Sequence, residues 1–386
     1  MKPGARATIA LDFSSLDQLN LGNGQFRYCV DLIRGLAALA SDCAFLVVGS
    51  QPEPPEPIRD LFGDARWRYL HLRTWNFAGA FYLRQLRYAW LLRRHRVDVL
   101  HCLHSFVPLF ARSACVVTVY DLMTELFDDY QAAVMSRPYR LFKYTVRTKS
   151  PLIIAISQTT ADDLHHLWGV PTSNIAVVHL ATQAVSSGNG LPGGATARFD
   201  REPFVLSPFN LEPRKNLLSL LRAMVEVRRT HPAVRLVLYG RAAVTPERER
   251  QFQTLVHELG LEDTLKLTGF VSDDERAFLY RQAAMFVFPS LYEGFGLPVL
   301  EAMAAGACVV ARNQSAMAEV LGDAGVQTET NDASLLAATI CSALDDPARR
   351  EALGRAARQR SARFTVDAMA RGTFRAYMKV LDLAAA

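Results

Sequence analysis

Short apolar runs rich in β-branched residues alternate along the chain with stretches of helical periodicity, and this alternation restricts the possible folds most. The runs are apolar throughout, which predicts parallel strands covered by helices on both faces. Six runs lie in the first half and five in the second: ATIALDF, AFLVVGS, DVLHCLH, CVVTVYD, LIIAIS and IAVVHL, then FVLSPFN, VRLVLYG, LKLTGF, MFVFPS and CVVARN. With the helical stretches between them, such as FRYCVDLIRGLAALA and NLLSLLRAMVEVRRT, they predict a doubly wound α/β fold.

A segment poor in apolar side chains, TQAVSSGNGLPGGATARFD at 182–200, interrupts the alternation. Its Gly, Ser and Thr content favours an interdomain linker or a loop. A chain of 386 residues, half of them apolar, is long enough to fill two cores. We therefore predict two α/β domains facing a cleft, 1–185 and 201–365, joined by a linker at 186–200. Doubly wound sheets bind ligands at the carboxyl ends of their strands, so we expect the site there.

The composition argues against several other classes of protein. A net charge of +5 is too mild to indicate nucleic-acid binding, and no motif for it occurs, so we expect no nucleic acid partner. No apolar run reaches the roughly 20 residues of a membrane span, and the first apolar stretch is typical of a strand, not of a secretory signal. The cysteines form no CxxC pair, which favours buried thiols in a reducing cytoplasm: Cys29, Cys43, Cys102, Cys115, Cys308 and Cys341.

The stretch PSLYEGFGLPVLEAMAAGACVVARN, residues 289–313, predicts a glycine-rich turn, a helix and a strand. Pro298 suits the first position of the helix, where its missing N–H costs nothing, and Gly306 suits the end. The free N–H groups at a helix start favour an anion or hydroxyl groups. Gly294 and Gly296 allow a ligand to approach the backbone closely.

Two carboxylates flank this turn, with Glu293 in the loop and Glu301 about one turn into the helix. Carboxylates accept hydrogen bonds from neighbouring hydroxyl groups, but they repel a phosphate unless cations intervene. Such cations occur upstream, where Arg214 and Lys215 follow the strand FVLSPFN and a turn. Two adjacent cations can hold a diphosphate and stabilise it as it leaves. Together these residues predict a nucleotide-sugar site, although each one alone is also typical of solvated surface charge.

On these motifs the chain resembles the retaining GT-B glycosyltransferases of glycosyltransferase family 4, with a mannosyltransferase-like pattern. The matching segments are EPRKN at 212–216, TGFVSDDE at 268–275, FPSLYEGFGLPVLEAMAAG at 288–306 and EVLGDAG at 319–325. The match is strong over 203–330 and weaker in the first half. It implies two Rossmann-like domains and a last helix, 366–386, that crosses back to the first domain.

The resemblance also implies roles for individual residues. Arg214 and Lys215 would bind the donor diphosphate, Glu301 the ribose hydroxyls, and Glu293 the donor sugar. Further donor contacts are expected from Phe270 and Val271 at the base, from the backbone of Gly294, Phe295 and Gly296, from Leu297 near the phosphate, and from the glycine-rich loop LGNGQFRY through Gly22 and Gly24. Since this loop is not GxGxxG, a dinucleotide site is not supported.

One departure from the family lies at the end of the strand CVVTVYD. Many relatives have a His-Asp pair, with the histidine on the donor sugar, where this chain has Tyr120 and Asp121. A tyrosine hydroxyl can also hydrogen-bond to the sugar, but with a different reach and no charge. The nearby HCLHSF offers His101 and His104, which can face the cleft and an acceptor or can equally be packed or solvated.

Retention of the anomeric configuration requires front-face attack or a double displacement. No unassigned carboxylate lies in a motif that demands a nucleophile, so we favour front-face attack, in which the leaving diphosphate accepts the proton of the acceptor. No group of acidic residues has the pattern of a metal site, so we expect no metal and no cofactor. A GT-B epimerase or phosphorylase and a degenerate, non-catalytic sugar-nucleotide binder are the competing interpretations.

An excess of basic residues suggests which part of the chain meets the acceptor. Residues 66–149 contain 14 Lys and Arg but only 5 Asp and Glu, and FYLRQLRYAWLLRRHR at 81–96 has its aromatic, leucine and arginine residues at helical spacing. Such a face favours peripheral contact with an anionic membrane leaflet, although a solvated helix packed on a core has the same pattern. We predict a cytoplasmic enzyme at the inner face of the cell membrane that acts on a lipid-linked or oligosaccharide acceptor in surface polysaccharide or lipopolysaccharide synthesis. GDP-mannose is the first predicted donor and UDP-sugars are the second.

Overall fold

The computed structural model describes residues 7–14, 24–39, 41–72, 80–103, 107–182, 202–240 and 245–385. The chain divides into two compact units. Unit 1 consists of Met1–Ala181 with Phe364–Ala386, and unit 2 consists of Thr182–Arg363. The predicted linker at 186–200 lies outside the described residues.

Unit 1 is built on a parallel sheet of seven described strands. They are β1 (Thr8–Asp12), β2 (Ala44–Gly49), β3 (Trp67–His71), β4 (Val99–Cys102), β5 (Ala114–Val119), β6 (Leu152–Ala155) and β7 (Ile175–Val177). Its first helices are α1 (Gly24–Ala38), α2 (Ala80–Arg94), α3 (Met123–Leu126), α4 (Gln131–Met135), α5 (Arg137–Lys149) and α6 (Gln158–Trp168). The strand order is β3-β2-β1-β4-β5-β6-β7, so the winding direction reverses between β1 and β4.

Unit 2 repeats this architecture with six described strands. They are β8 (Phe204–Pro208), β9 (Arg235–Tyr239), β10 (Leu265–Gly269), β11 (Met285–Phe288), β12 (Val309–Arg312) and β13 (Val326–Thr328). Its helices are α7 (Leu217–Thr230), α8 (Pro246–Glu258), α9 (Asp273–Gln282), α10 (Leu297–Ala305), α11 (Ser315–Leu321), α12 (Ala333–Asp345) and α13 (Pro347–Ser361). The order β10-β9-β8-β11-β12-β13 places the switch point between β8 and β11, where doubly wound sheets bind their ligands.

All eleven predicted strands are confirmed, but two edge strands were not predicted. β3 has the sequence WRYLH, in which Trp67 is buried and stacks on Phe45 at 4.5 Å while Arg68 is exposed. A strand covered on one face alternates in polarity and lacks the continuous apolar run that identified the others. β13 has the sequence VQT, in which only Val326 is apolar, so it gives no apolar run.

The last helix, α14 (Val366–Ala385), packs in unit 1 although unit 2 precedes it in the chain, as the resemblance implied. α14 approaches α1 closely because Gly35 has no side chain, since a Cβ there would lie 2.8 Å from the Ala370 Cβ. A buried hydrogen-bond chain also joins α14 to the sheet. The Tyr377 hydroxyl lies 2.7 Å from Nδ1 of His101, whose Nε2 lies 2.8 Å from Oγ1 of Thr118.

Candidate active site

Most residues predicted to bind the donor in unit 2 follow β8 and β11, the strands on either side of the switch point, whereas Phe270 and Val271 follow the edge strand β10. The turn after β11 ends at Gly296, whose φ of 94° is in the left-handed region. A side chain there would be strained. α10 then begins at Leu297 and ends at Gly306, whose φ is 84°. The predicted helix is confirmed, although Pro298 occupies its second position and not its first.

Glu293 lies at the centre of a cluster of charges. Its Oε1 accepts hydrogen bonds from the Lys215 ammonium at 2.6 Å and from the Ser290 hydroxyl at 2.7 Å. Its Oε2 lies 3.5 Å from Nη1 of Arg214. The three charged side chains are only 13–19% exposed. The ion pairs are therefore largely shielded from water, which strengthens them, but each charged group still reaches the surface.

The loop that carries the two cations is bonded to the loop that carries Glu293. This first loop forms one turn of 3₁₀ helix and is followed by Asn216, which has a φ of 56°. The Asn216 amide donates hydrogen bonds to the carbonyl groups of Pro289 at 3.2 Å and Thr330 at 2.8 Å. The Leu291 N–H donates to the carbonyl of Arg214 at 2.7 Å. These bonds fix the position of the cations independently of any ligand.

The cluster around Glu293 is balanced in charge. Arg214 also pairs with Glu212, whose Oε2 lies 3.0 Å from Nε of Arg214. Two cations therefore face two carboxylates. An arriving diphosphate gains little net attraction from this arrangement unless one of the carboxylates acquires another partner.

Glu301 belongs to a second network. Its Oε2 lies 3.1 Å from Nε of Arg276 and accepts a hydrogen bond from the Tyr280 hydroxyl at 3.3 Å. Burial, followed by the nearby Tyr239 and Glu301, raises the pKa of Tyr280 well above its usual value, so this hydroxyl stays a neutral donor. Burial disfavours the charged form of Arg276, but Glu301 and its other neighbours outweigh this effect and raise its pKa. The network fixes the direction of the Glu301 carboxylate.

Several residues of these networks were not predicted from the sequence, namely Arg276, Tyr280, Glu212, Asn216 and Ser290. Asn216 and Ser290 lie inside the matching segments, but their side chains act on residues far away in the sequence, which a motif does not show. Arg276 had a usable signal. It directly follows TGFVSDDE and is the fourth residue of α9, a helix capped by Ser272.

The other predicted donor contacts in unit 2 lie around these networks. Phe270 is 78% exposed, so its ring is accessible to a planar ligand. The side chains of Val271 and Phe295 are buried, which leaves their backbone for contact with a ligand. Gly294 is also buried, and Leu297 is half-buried at the start of α10.

In unit 1, Tyr120 and Asp121 directly follow β5. The Tyr120 hydroxyl donates to the Leu103 carbonyl at 2.8 Å, and burial raises its pKa well above its usual value. This hydroxyl is therefore neutral and is already bonded within the unit. Asp121 is half-buried, and its Oδ1 accepts the N–H of Met123 at 3.1 Å. Gly24 is exposed as the first residue of α1.

The assignment of His101 to the acceptor is wrong. The residue is fully buried, and both ring nitrogens are within hydrogen-bond distance of the Tyr377 and Thr118 hydroxyls. Burial lowers its pKa to about 3, so the ring is neutral. A histidine at a strand end can point to the core as well as to solvent, and the sequence does not separate the two. His104 and Gly22 lie outside the described residues.

Across the described ranges, no group of three or more His, Cys, Asp and Glu side chains is placed to hold a metal ion. In the same part of the chain, no helix combines the length and the apolar character needed to cross a membrane.

Comparison with known proteins agrees with the motifs. Residues 194–360 match the family model described as glycosyl transferases group 1, and residues 22–182 match the one described as glycosyltransferase family 4. The chain is also 30% identical over 273 residues to O-antigen chain mannosyltransferase B of Escherichia coli, which covers 69% of this chain and 70% of that protein. The chain belongs to glycosyltransferase family 4. It is therefore a glycosyltransferase enzyme, which sets aside the epimerase, the phosphorylase and the non-catalytic binder.

Two further similarities extend this result. The serotype-specific mannosyltransferase WbdA of Escherichia coli is 36% identical over 169 residues, which cover 42% of this chain but only 20% of WbdA. Alr3699/HepE of Anabaena, crystallised with UDP and glucose, has a TM-score of 0.73 at 18% identity and covers 97% of this chain and 100% of that one. At this identity the structural likeness shows the fold alone, and it confirms the two-domain GT-B fold.

Proposed function

We propose that this glycosyltransferase moves a hexose from a nucleotide sugar to an oligosaccharide or lipid-linked acceptor in surface polysaccharide synthesis. The contact between Lys215 and Glu293 carries the proposal, because it joins a cation suited to a diphosphate with a carboxylate suited to sugar hydroxyls. It does so at the switch point of a doubly wound sheet. GDP-mannose is the first donor we propose, and the similarity to an O-antigen mannosyltransferase supports it.

In this proposal the charged residues of the cluster exchange their partners when the donor binds. The diphosphate takes over Lys215 and Arg214, and the hydroxyls of the donor sugar donate to Glu293 in their place. Every buried charge then keeps a partner, which avoids the cost of an unpaired one. A nucleoside diphosphate without its sugar separates Glu293 from the cations and offers it no replacement. The cluster therefore favours the complete donor over the free diphosphate.

Glu301 binds the ribose hydroxyls in the same proposal. Arg276 and Tyr280 hold its carboxylate from one side, so the ribose approaches a group whose orientation is already fixed. Phe270 offers its exposed ring to the base. Its stacking does not depend on the identity of the base, so the present contacts leave the base to be decided by experiment.

The transfer proceeds by front-face attack with retention. The bond between the anomeric carbon and the leaving phosphate oxygen breaks, and the acceptor oxygen bonds to the same face of that carbon. The acceptor hydroxyl gives its proton to the leaving diphosphate. Lys215, Arg214 and the start of α10 stabilise the charge that develops there. Two fixed cations already serve the diphosphate, so we propose a metal-independent reaction.

A panel of nucleotide sugars tests the function. Thermal unfolding and release of nucleoside diphosphate are measured with GDP-mannose, GDP-glucose, UDP-glucose, dTDP-glucose and ADP-glucose, each with and without magnesium. We expect GDP-mannose at 100 times its Kd to stabilise the protein by about 2.7 kcal/mol and to be turned over without magnesium. Proton NMR of the product reports the anomeric configuration. If none of the donors binds, the site is not a donor site.

UDP-sugars form the second candidate class of donor. Alr3699/HepE, which shares the fold, was crystallised with UDP and glucose, and we therefore keep UDP-sugars as the alternative donors. The same panel separates the two classes, because the preferred base gives the larger thermal shift at equal ligand concentration.

We also propose that the enzyme works at the inner face of the cell membrane. α2 covers most of the predicted basic segment 81–96, and its Leu86 and Trp90 are exposed. Apolar and basic side chains on one exposed helix suit an anionic lipid surface.

A further inference from the structure

We infer that unit 1 has a second binding site, separate from the predicted donor contacts, that takes the phosphate-bearing headgroup of an anionic membrane lipid. The site is a cavity of about 870 Å³ between the end of α2 and the segments 96–98 and 109–113, which lead into β4 and β5. This inference rests on the membrane contact proposed above and specifies where that contact is made.

Large apolar side chains are exposed around the cavity. Leu86 and Trp90 of α2 are each 56% exposed, and Phe110 of the neighbouring segment is 51% exposed. The guanidinium of Arg94 lies 5.4 Å from the centre of the Trp90 ring. Aromatic side chains beside arginines are typical of the boundary between lipid headgroups and tails. Because Phe110 comes from outside α2, the sequence of the helix alone did not reveal this surface.

The cavity is positively charged. Its lining includes the exposed side chains of Arg93, Arg96 and Arg112, and no ion pair to any of them is found in the part of the chain that the structure describes. The lining has one carboxylate, Asp98, whose Oδ2 accepts the N–H of Thr8 at 2.8 Å. Three cations against one carboxylate favour a phosphate, since arginine binds phosphate oxygens through several N–H groups at once.

The backbone at Arg96 gives a second indication. α2 ends in a Schellman motif, in which the Val97 N–H donates to the Leu92 carbonyl at 2.9 Å and the Arg96 N–H donates to the Arg93 carbonyl at 3.1 Å. Arg96 has a φ of 50°, a conformation that glycine adopts at this position of the motif without strain. An arginine there carries a conformational cost, and strained residues are concentrated at functional sites.

The walls of the cavity are fixed. The Leu109 N–H donates to the buried Gln85 side chain of α2 at 2.9 Å, and the Lys149 ammonium donates to the Leu109 carbonyl at 2.6 Å. These bonds hold the segment with Phe110 against α2 and against the end of α5. The site is thus formed before a ligand arrives, and little ordering opposes binding.

The cavity lies at the amino ends of the strands of unit 1, whereas Tyr120 and Asp121 lie at the carboxyl end of β5. Asp98 and Ser113 directly precede β4 and β5, whereas Tyr120 and Asp121 follow the carboxyl end of β5. A strand of this length spans about 20 Å, so one headgroup cannot occupy both places. A lipid held here anchors the enzyme and does not compete with the acceptor.

A second basic surface in unit 1 provides a matched comparison. Helix α5 exposes Arg137, Arg140 and Arg147, together with Tyr144, which is 58% exposed. It has the same number of arginines and an exposed aromatic ring, but none of its arginines lines the cavity beside α2. If charge alone governs binding, both surfaces contribute equally.

Vesicle sedimentation tests the site with the full-length protein. The wild type should bind vesicles with 30% phosphatidylglycerol in phosphatidylcholine and should not bind pure phosphatidylcholine. The variant Arg93→Gln/Arg96→Gln/Arg112→Gln should lose roughly 100-fold in partition coefficient, at about 1 kcal/mol per arginine. Arg137→Gln/Arg140→Gln/Arg147→Gln should stay within about threefold of the wild type. Equal losses in both variants, or a larger loss in the second, would overturn the inference.

Two single variants separate binding from folding and locate the contact. Arg96→Gly removes a charge and suits the backbone, so thermal stability should hold or rise while the partition coefficient falls about fivefold. Lipids brominated near the headgroup should quench wild-type tryptophan fluorescence, and Trp90→Phe should abolish most of this quenching. Unchanged quenching in Trp90→Phe would place the contact elsewhere and contradict the proposal.

Donor turnover in the absence of lipid distinguishes this inference from the proposed function. Hydrolysis of the preferred nucleotide sugar should be the same in the wild type and in the Arg93, Arg96 and Arg112 variant, because none of these residues belongs to the donor site. Normal hydrolysis without any vesicle binding would reject the lipid site alone. Absence of donor binding in the wild type would reject the proposed function, whatever the vesicles show.

Discussion

The polar network at Glu293 in unit 2 is charged, whereas the polar network at His101 in unit 1 is neutral. In unit 2, Lys215 and Glu293 are charged and still reach the surface, whereas in unit 1 the network around His101 is neutral and fully buried. A charged cluster that balances itself can exchange partners with a charged ligand, but a neutral buried network can only hold its elements together. We therefore expect changes in the first network to alter catalysis with little loss of stability, and changes in the second to do the reverse.

Replacing Lys215 tests the catalytic role of the charged network in unit 2 most directly. Lys215→Ala removes the cation that stabilises the leaving diphosphate and should lower kcat by about 100-fold or more. Steady-state release of nucleoside diphosphate measures the effect. Lys266→Ala, at an exposed position of β10, is the matched control and should leave kcat unchanged. Near-normal turnover in Lys215→Ala would show that the cluster does not act on the leaving group.

The exchange of partners predicts opposite effects of Glu293→Gln on two ligands. Turnover of the nucleotide sugar should fall by about tenfold or more, because the sugar hydroxyls lose a charged acceptor. The free nucleoside diphosphate should bind about three- to tenfold more tightly, because the cations no longer have to leave a carboxylate. Isothermal titration calorimetry with the diphosphate measures the second effect.

Glu212→Gln separates this exchange from a general change in charge. Glu212 also pairs with Arg214 but is more exposed, so its loss should tighten diphosphate binding less and leave kcat close to normal. Weaker diphosphate binding in Glu293→Gln would mean that Glu293 only supports the cations, and an unchanged affinity would mean that it touches the sugar alone.

The fold was predictable because a parallel sheet covered on both faces produces continuous apolar runs. The two strands that were not predicted lie at the sheet edges and lack an apolar run, since β3 carries Arg68 on an exposed face and β13 has the sequence VQT. The return of α14 to unit 1 followed from the resemblance and not from any local pattern. Local sequence thus identifies covered strands well, and long-range connections only through a known family.

The location of the candidate site could be predicted for those residues that directly follow a strand. Glu293 and Lys215 each follow a strand beside the switch point, so their general location follows from the topology. Their 2.6 Å contact joins residues 78 positions apart and depends on strand register, which the motifs do not encode. The contact of Arg276 with Glu301 also joins distant parts of the sequence, although its position directly after TGFVSDDE was a signal that could have been used. The burial of His101 depends on the docking of α14, which no pattern near the histidine reveals.

The neutral network of unit 1 predicts a specific dependence of stability on pH. The pKa of His101 is about 3 in the folded protein against 6.5 when unperturbed, so between these values only the unfolded chain binds the proton. Stability is therefore retained above pH 6.5 and lost as the pH falls, by roughly 2 kcal/mol at pH 5. Unfolding free energies measured at pH 7.5 and pH 5 show this loss.

A variant that cannot titrate isolates the contribution of His101. His101→Gln keeps hydrogen-bonding groups but no ionisation, so its loss of stability between pH 7.5 and pH 5 should be smaller than that of the wild type by about the same 2 kcal/mol. His257→Gln makes the same substitution at an exposed histidine and is the matched control. Identical pH profiles for His101→Gln and the wild type would show that the buried ring does not govern acid stability.

A further effect on stability is expected at the contact between α1 and α14. Gly35→Ala places a methyl group 2.8 Å from the Ala370 Cβ and 2.8 Å from Cγ1 of Val366, so the helices must move apart. We expect a loss of about 1–2 kcal/mol in unfolding free energy. Gly63→Ala adds the same methyl group where no atom lies within 4 Å and should cost nothing measurable. Gly35 lies in unit 1 and is not part of the charged cluster around Glu293 in unit 2. The affinity for nucleoside diphosphate should therefore not change. A variant that lost this affinity while keeping its stability would mean that the packing of α14 governs donor binding, and the division of roles between the two networks would then fail.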